Sequence, residues 1–577
     1  MNLLNFSKAN CKNCYRCLRS CPVKAIQFKD EQAIIIEDRC IACGQCLTVC
    51  PQDARYVRSD LAQIKEAISS GRIVAASLAP SFAGAFEMSY PEQLVSAMKL
   101  LGFAIVEETA VGADLVTGLY KGFIHSKKKK NLITTCCPAA NYLIEKYYPS
   151  LIQYMIPVVS PMLAHSKLIR YGHGGDCFVV FVGPCIAKKA EVMSMQNIGT
   201  VDAVLTFEEL NQWLLEENID LMKLPESAFD KVASWKGSQY PVPGGVAGSF
   251  SDKNEEQGYE IIKADGIDNC LEIFHALESG VLQNVCVEVS ICRNGCIGGP
   301  GMPKNERNCF ERLHDVKKYV LSKQTSCGQH TETASMYKSI DFSKTFFDKR
   351  IQASEPEEAE IKKILAKMGK HSPGDELNCG ACGYNTCREK AKAVFEGMAE
   401  MHMCLPYMRS KAESLTNVIF EHSPNVIMLV DENLKIKELN PTSERLFKVK
   451  THEVKDKPLA LLIDDTDFAK VISTKQNIYK QKVTFPDYGL VFMRNLVYLE
   501  KQNLVMAIMM DITLDEKNRQ ELSKVKENTL EAAQTVITKQ MRVAQEIASL
   551  LGETTAETKI ILTKLKEIVL GENGDLE

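Results

Sequence analysis

Three separated segments of this 577-residue chain carry cysteine in settings built to hold metal. They are Thr134-Thr135-Cys136-Cys137-Pro138, Gly183-Pro184-Cys185 running on to Lys188 and Glu191, and Cys292-Arg293-Asn294-Gly295-Cys296. A glycine-rich stretch, Pro243-Gly244-Gly245-Val246, lies between the last two. Cys137, Cys185, Cys292 and Cys296 offer four soft thiolates, the donor type that selects iron–sulfur clusters. Spread over about 160 residues, they meet only if a domain folds around the metal. Buried structural thiols, a plain four-cysteine cluster or a zinc site are the alternatives.

These loops resemble the signature loops of the iron-only (FeFe) hydrogenases. The resemblance implies an H-cluster: a 4Fe-4S cluster on Cys137, Cys185, Cys292 and Cys296, with Cys296 bridging to a two-iron centre that carries CO, cyanide and a dithiolate. It also implies that Cys136 passes a proton, that Lys188 hydrogen-bonds a cyanide, and that Glu191 lies near Lys188. Ala79, Pro80, Ser81, Gly183, Pro184 and Ser290 would border the cofactor. A thiol suits proton transfer because its pKa lies within reach of neutrality.

The departures from that family's pattern are chemical. Gly183 and Ser290 stand where the hydrogenases have methionines around the two-iron centre, which predicts a larger or wetter pocket at 183 and an added hydroxyl at 290. Met162 replaces a glutamine. Val116-Thr117-Gly118-Leu119-Tyr120-Lys121-Gly122-Phe123 aligns with the family's acid-rich proton route yet holds no carboxylate, and Ile156 falls where that route has a serine. The expectation is slow turnover around an intact cluster.

Two further cysteine sets are more regular. Cys11-x2-Cys14-x2-Cys17-x3-Cys21-Pro22 repeats as Cys40-x2-Cys43-x2-Cys46-x3-Cys50-Pro51. This is the bacterial ferredoxin run, in which each fourth cysteine serves the other cluster. One 4Fe-4S cluster would use Cys11, Cys14, Cys17 and Cys50, and the other Cys40, Cys43, Cys46 and Cys21. A lone set, Cys379-x2-Cys382-x4-Cys387-x16-Cys404, resembles the small four-cysteine 4Fe-4S domain of sensory FeFe hydrogenases and corrinoid proteins, with zinc as its alternative. Cys177, Cys270, Cys286, Cys309 and Cys327 lie outside these motifs and read as structural thiols.

Twenty-two cysteines with no export signal fit metal binding in a reducing compartment better than disulfides. A net charge of −4 argues against a nucleic-acid protein. No apolar run approaches the roughly 20 residues of a spanning helix, so a cytoplasmic protein without membrane association is expected.

The elements that must position these cysteines give a multidomain α+β architecture: a ferredoxin domain over 1–57, an α/β H-cluster domain over 58–325, a linker with a helix over 326–376, the four-cysteine domain over 377–408, a PAS domain over 410–514 and helices over 515–577. In the second domain, Ile73 to Leu78, Phe103 to Val106 and Phe178 to Val182 read as buried strands and Pro91 to Leu101 and Asn141 to Tyr148 as helices. The linker helix would take Ser354 as N-cap, with Pro356 in its first turn. Arg388 to Met401 would return the chain to Cys404 as one helix. Asn425 to Asp431, Gln481–Phe485, Leu490–Leu499 and Leu504–Ile512, ending on Asp511-Ile512-Thr513, resemble a PAS domain, with His422 and His452 read as solvated. Leu522, Val525, Thr529, Ala532, Val536, Val543, Ile547 and Leu550 keep a three–four spacing suited to a helix–helix seam, and after a break near Gly552 so do Ile561, Leu565 and Ile568. The tail resembles a histidine-kinase dimerising hairpin with Gln545 at the phosphorylated position, or a simple coiled coil.

The expected function is a sensory FeFe hydrogenase whose substrates are H2 and protons, acting as a homodimer on a downstream signalling protein that the sequence does not identify. A ferredoxin-linked metabolic hydrogenase and an iron–sulfur scaffold without the two-iron centre are the alternatives.

Overall fold

The computed structural model describes residues 3–551 apart from 8, 9, 31, 251–257, 327–336, 338 and 352–354, together with residues 560, 561 and 564. Ser354, Cys327, the break at Gly552 and the seam positions Leu565 and Ile568 lie outside the described residues. Two compact units divide the chain, residues 1–408 and 409–577.

In the first unit, the ferredoxin repeat folds as two short helices, Arg16–Arg19 and Gln45–Thr48, beside two antiparallel ribbons. One pairs Leu4–Phe6 with Arg55–Val57 and the other Ile26–Lys29 with Gln32–Ile35. The next module centres on a parallel sheet of four strands in the order Ile105–Glu108, Val74–Leu78, Phe178–Gly183 and Ala203–Thr206. Val74–Leu78 and Phe178–Gly183 are buried at every residue, as a parallel sheet covered on both faces requires. Helices Ala110–Ser126 and Pro161–His173 pack on each other at this sheet. A second parallel sheet joins Glu260–Asp265, Val285–Ser290 and Leu132–Ile133. Each strand expected in this domain forms, displaced by two residues at most. The two helices form as Glu92–Leu100 and Pro138–Tyr147, the second starting earlier because Pro138 suits the first turn.

The segment read as a linker is laid along this module. The Val159 amide donates to Phe342 O (3.0 Å) and the Lys344 amide to Pro157 O (3.2 Å), and Phe342 is buried. Its helix, Glu358–Lys367, is capped by a Glu357–Glu360 capping box, so Pro356 precedes the helix instead of entering it. In the four-cysteine module the helix stops at Phe395, and Gly397 in a left-handed turn redirects the chain, so Arg388 to Met401 is not one helix. A separate 3-10 turn at Met401–Met403 delivers Cys404.

The second unit holds a five-stranded antiparallel sheet in the order Ile436–Leu439, Val426–Asp431, Leu504–Asp511, Leu490–Leu499 and Ile478–Phe485. Alternate residues point inward, and Phe447 fills the core within 5.1–6.1 Å of Tyr488, Phe485 and Phe492. His422 and His452 are both exposed. Thr513 closes the sheet through the Val491 amide (2.9 Å) and starts a helix that runs to Leu551. Leu522, Val525, Val536, Val543 and Ile547 are exposed along it. Among the described residues no helix is long and apolar enough to cross a membrane.

Candidate metal centres

Each hydrogenase-type cysteine loop leaves the carboxyl end of a parallel strand, where open α/β sheets place their sites. Leu132–Ile133 leads to Cys136 and Cys137, Phe178–Gly183 to Cys185, and Val285–Ser290 to Cys292 and Cys296. All five thiols and Lys188 line one cavity of about 120 Å³. Ala79, Pro80, Ser81, Pro184, Ser290 and Met162 also line it, whereas Gly183 and Glu191 do not. A Cβ at Gly183 would come 2.7 Å from the Phe181 ring and 3.0 Å from Ala79 Cβ. The room expected at 183 is therefore taken by Phe181, which itself faces the cavity.

Glu191 works from behind the wall. Its carboxylate accepts from Lys188 Nζ (2.8 Å), Lys344 Nζ (3.0 Å) and Ser160 Oγ (2.9 Å). Burial alone would raise this carboxyl, yet the two ammoniums more than offset it and hold its pKa at about 2. Burial likewise works against the Lys188 ammonium, and Glu191 restores it to above the ordinary lysine value. Lys188 thus stays charged, 3.4 Å from Cys136 O.

Burial pushes the Cys136 thiol up to about 12, against the opposing pull of the Tyr120 hydroxyl and Lys188. The Tyr120 hydroxyl lies 3.3 Å from Cys136 Sγ, accepts from the Thr135 amide (2.8 Å) and sits 3.1 Å from Thr135 Oγ1. Tyr120 belongs to the stretch read as holding no carboxylate. No carboxylate is there, but a phenol is. Glu288 is a second residue the sequence left unnoticed. It lines the cavity, accepts from the Gly244 amide (2.9 Å) and Ala247 amide (2.7 Å), and is raised by burial. The glycine-rich loop is its cradle. A polar file also leaves the cavity wall at Thr109: Thr109 Oγ1 to Ser77 Oγ (2.7 Å), Ser77 to His165 Nδ1 (2.8 Å), His165 Nε2 to Glu107 (3.1 Å), and Glu107 to the part-exposed His173 (2.8 Å).

All 21 described cysteines are free thiols. A zinc ion needs four ligands about 2.0–2.3 Å from one point. Among the described residues no group of three or more His, Cys, Asp or Glu is placed to hold a single ion. Thiols spaced around a cavity suit a multi-atom cluster, so the donors fit a 4Fe-4S body on Cys137, Cys185, Cys292 and Cys296. The same holds for Cys379, Cys382, Cys387 and Cys404, which line one pocket together with Lys390.

The ferredoxin module touches both other cysteine sites. Ile41 and Ala42 pack in one core with Ala139, Ala187, Val289 and Ile291 of the hydrogenase-type loops. Lys146 Nζ donates to Cys40 O (2.7 Å) and the Tyr147 hydroxyl to Arg39 O (2.8 Å). On another face Leu18, fully buried between Cys17 and Cys21, packs with Cys382, Tyr384 and Met398. The Phe28 amide donates to Met398 O (3.1 Å), Lys24 Nζ to Gly383 O (2.9 Å), and Arg39 pairs with Glu396 (2.6 Å).

Comparison with known proteins matches residues 72–300 to the iron-only hydrogenase large subunit, C-terminal domain. Residues 10–54 match the 4Fe-4S dicluster domain, 375–406 an Fe-S cluster family and 414–482 the PAS domain. The chain is 25% identical over 328 residues to the NADP-reducing hydrogenase subunit HndD of Solidesulfovibrio fructosivorans, covering 46% of this chain and 56% of that one. It is 23% identical over 390 residues to iron hydrogenase 1 of Clostridium pasteurianum, covering 55% and 68%. The cytosolic Fe-S cluster assembly factor NAR1 of Vanderwaltozyma polyspora is 26% identical over 192 residues, covering 31% and 36%. The chain thus spans between about half and two thirds of the hydrogenase relatives' length. With a ferredoxin-like dicluster domain, a hydrogenase-type domain, a second Fe-S domain and a PAS domain in one polypeptide, the chain is a PAS-containing, FeFe-hydrogenase-like protein.

Proposed function

We propose that this chain is a sensory FeFe hydrogenase that binds or slowly oxidises H2 and reports the event through its PAS domain and C-terminal helix. The observation that carries the reading is the convergence of Cys136, Cys137, Cys185, Lys188, Cys292 and Cys296 on one cavity. The two-iron centre held through Cys296 would supply the chemistry that splits H2. Everything else falls to the protein. Cys136 Sγ holds a proton at the cavity, with the Tyr120 hydroxyl behind it to exchange one. Lys188, fixed by Glu191, presents a steady positive charge to anionic ligands. Phe181, Met162 and Val246 exclude water from the wall. The group next to Cys136 is a phenol, which passes protons less readily than a carboxylate matched to neutral pH, and a sensor needs occupancy more than flux.

The redox change can shift the signalling unit only by the free energy it supplies to one state over the other. The exposed apolar line on Thr513–Leu551 supports a homodimer. The ferredoxin module supports exchange with a ferredoxin-like electron partner.

The similarity to NAR1 favours one other reading, an iron–sulfur scaffold without the two-iron centre. Infrared spectroscopy of protein matured with the two-iron cofactor separates the two. CO and cyanide bands with measurable, weak H2 oxidation are expected. Their absence would leave the scaffold, and a rate typical of metabolic hydrogenases would remove the sensory reading.

A further inference from the structure

Lys390 is buried in the helix that starts at Cys387, with 1% of its surface exposed. Its Nζ donates to Glu400 O (2.7 Å) and contacts Met403 Sδ (3.2 Å), and it lies 5.5 Å from the centre of the Tyr384 ring. Among the described residues it pairs with no carboxylate. The Glu400 carboxylate binds the Asp30 amide (3.2 Å) and His402 (2.9 Å) and acts on Lys390 only through space. Burial draws the Lys390 pKa down to about 8, still above neutrality. A buried cation without a counter-ion is costly, and proteins keep one where an anion completes it. Here Lys390 shares its pocket wall with Cys379, Cys382, Cys387 and Cys404.

We propose that Lys390 is the counter-charge of the cluster these four cysteines hold and raises its reduction potential. The inference rests on the four-cysteine set binding a 4Fe-4S cluster. Adding an electron makes such a cluster more negative, and a fixed ammonium in a low-dielectric interior stabilises the reduced form over the oxidised one. No proton or ligand moves. Lys390 is a positioning charge here and leaves the chemistry at the hydrogenase-type cavity untouched. The placement serves the role, because Leu18 joins this pocket to the ferredoxin module through one apolar core.

The test is a redox titration of the full reconstituted chain followed by electron paramagnetic resonance. The signal lost in Cys387→Ser identifies the third cluster. Lys390→Met and Lys390→Gln should move it to lower potential with the other midpoints unchanged, and Lys392→Gln, an exposed lysine on the same helix, should move nothing. A third-cluster midpoint unmoved by loss of the charge would overturn the proposal. Lys390→Arg, which keeps the charge, should hold the midpoint; a shift there equal to that in Lys390→Gln would overturn the proposal as well. Iron content too low for a third cluster would instead bring down the cluster assignment and the proposal with it.

Discussion

The hydroxyl of Tyr120 stands 3.3 Å from the sulfur of Cys136. It joins the helix Ala110–Ser126 to the loop that carries a candidate cluster ligand, Cys137. Cys136→Ala should abolish H2 turnover of the matured protein with iron content unchanged; unaltered turnover would show that protons travel elsewhere. Tyr120→Phe should slow turnover and also orphan the Thr135 amide, at a cost of about 1–3 kcal/mol, read by urea denaturation of the cluster-free chain.

Gly183 abuts Phe181 so closely that even a methyl group displaces the ring. Gly183→Ala should destabilise the cluster-free chain by about 1–3 kcal/mol, as overpacking does. The paired variant Gly183→Ala/Phe181→Leu should recover part of that loss. Equal stability of Gly183→Ala and the unaltered chain would show that Phe181 is loosely held.

Two buried carboxylates give a dependence on pH. Burial raises Glu191 and Glu107, but Lys188 and Lys344 around the first, and His165 and His173 around the second, bring each to about 2. Both are depressed below the ordinary value of 4.5, so their stabilisation is complete above that pH and is lost as pH falls from 4.5 towards 2. Urea midpoints measured across pH 3–6 should decline on acidification. Glu191→Gln should flatten part of that decline.

Gly383 has φ of +94°, and a Cβ there would meet Leu18 Cγ at 2.9 Å. Gly383→Ala should cost at least about 1 kcal/mol from the backbone alone and loosen the four-cysteine module from the ferredoxin ribbon. Hydrogen exchange at the Phe28 amide, which now donates to Met398 O, should accelerate. Unchanged protection there would refute the coupling.

The exposed line along Thr513–Leu551 predicts a dimer in sedimentation, and Val536→Lys with Val543→Lys should yield monomers. A monomeric unaltered chain would remove the dimer from the proposal.

Much of this was legible in residue spacing, because cluster ligands repeat at fixed intervals and buried parallel strands read as apolar runs. The cavity was legible as its cysteines, Lys188 and the lining residues Ala79, Pro80, Ser81, Pro184 and Ser290 that the resemblance implied. Tyr120, Phe181, Glu288 and Lys390 carry no local signal, since each matters through a partner reached by the fold. Glu288 meets Gly244 from 44 residues away, and Lys24 meets Gly383 from 359. The helix expected to reach Met401 failed for a local reason, the left-handed Gly397.

Leu18, sealed beneath Gly383 and Tyr384, fixes which side of the ferredoxin module stays open to visitors. A soluble carrier approaching there meets a resident of the same chain, tethered at a concentration no diffusing protein matches. Dilution cannot separate the two, so traffic across that seam answers to the polypeptide and not to the surrounding pool. Any outside partner is left with the surface that neither neighbour covers, and Cys14 is exposed.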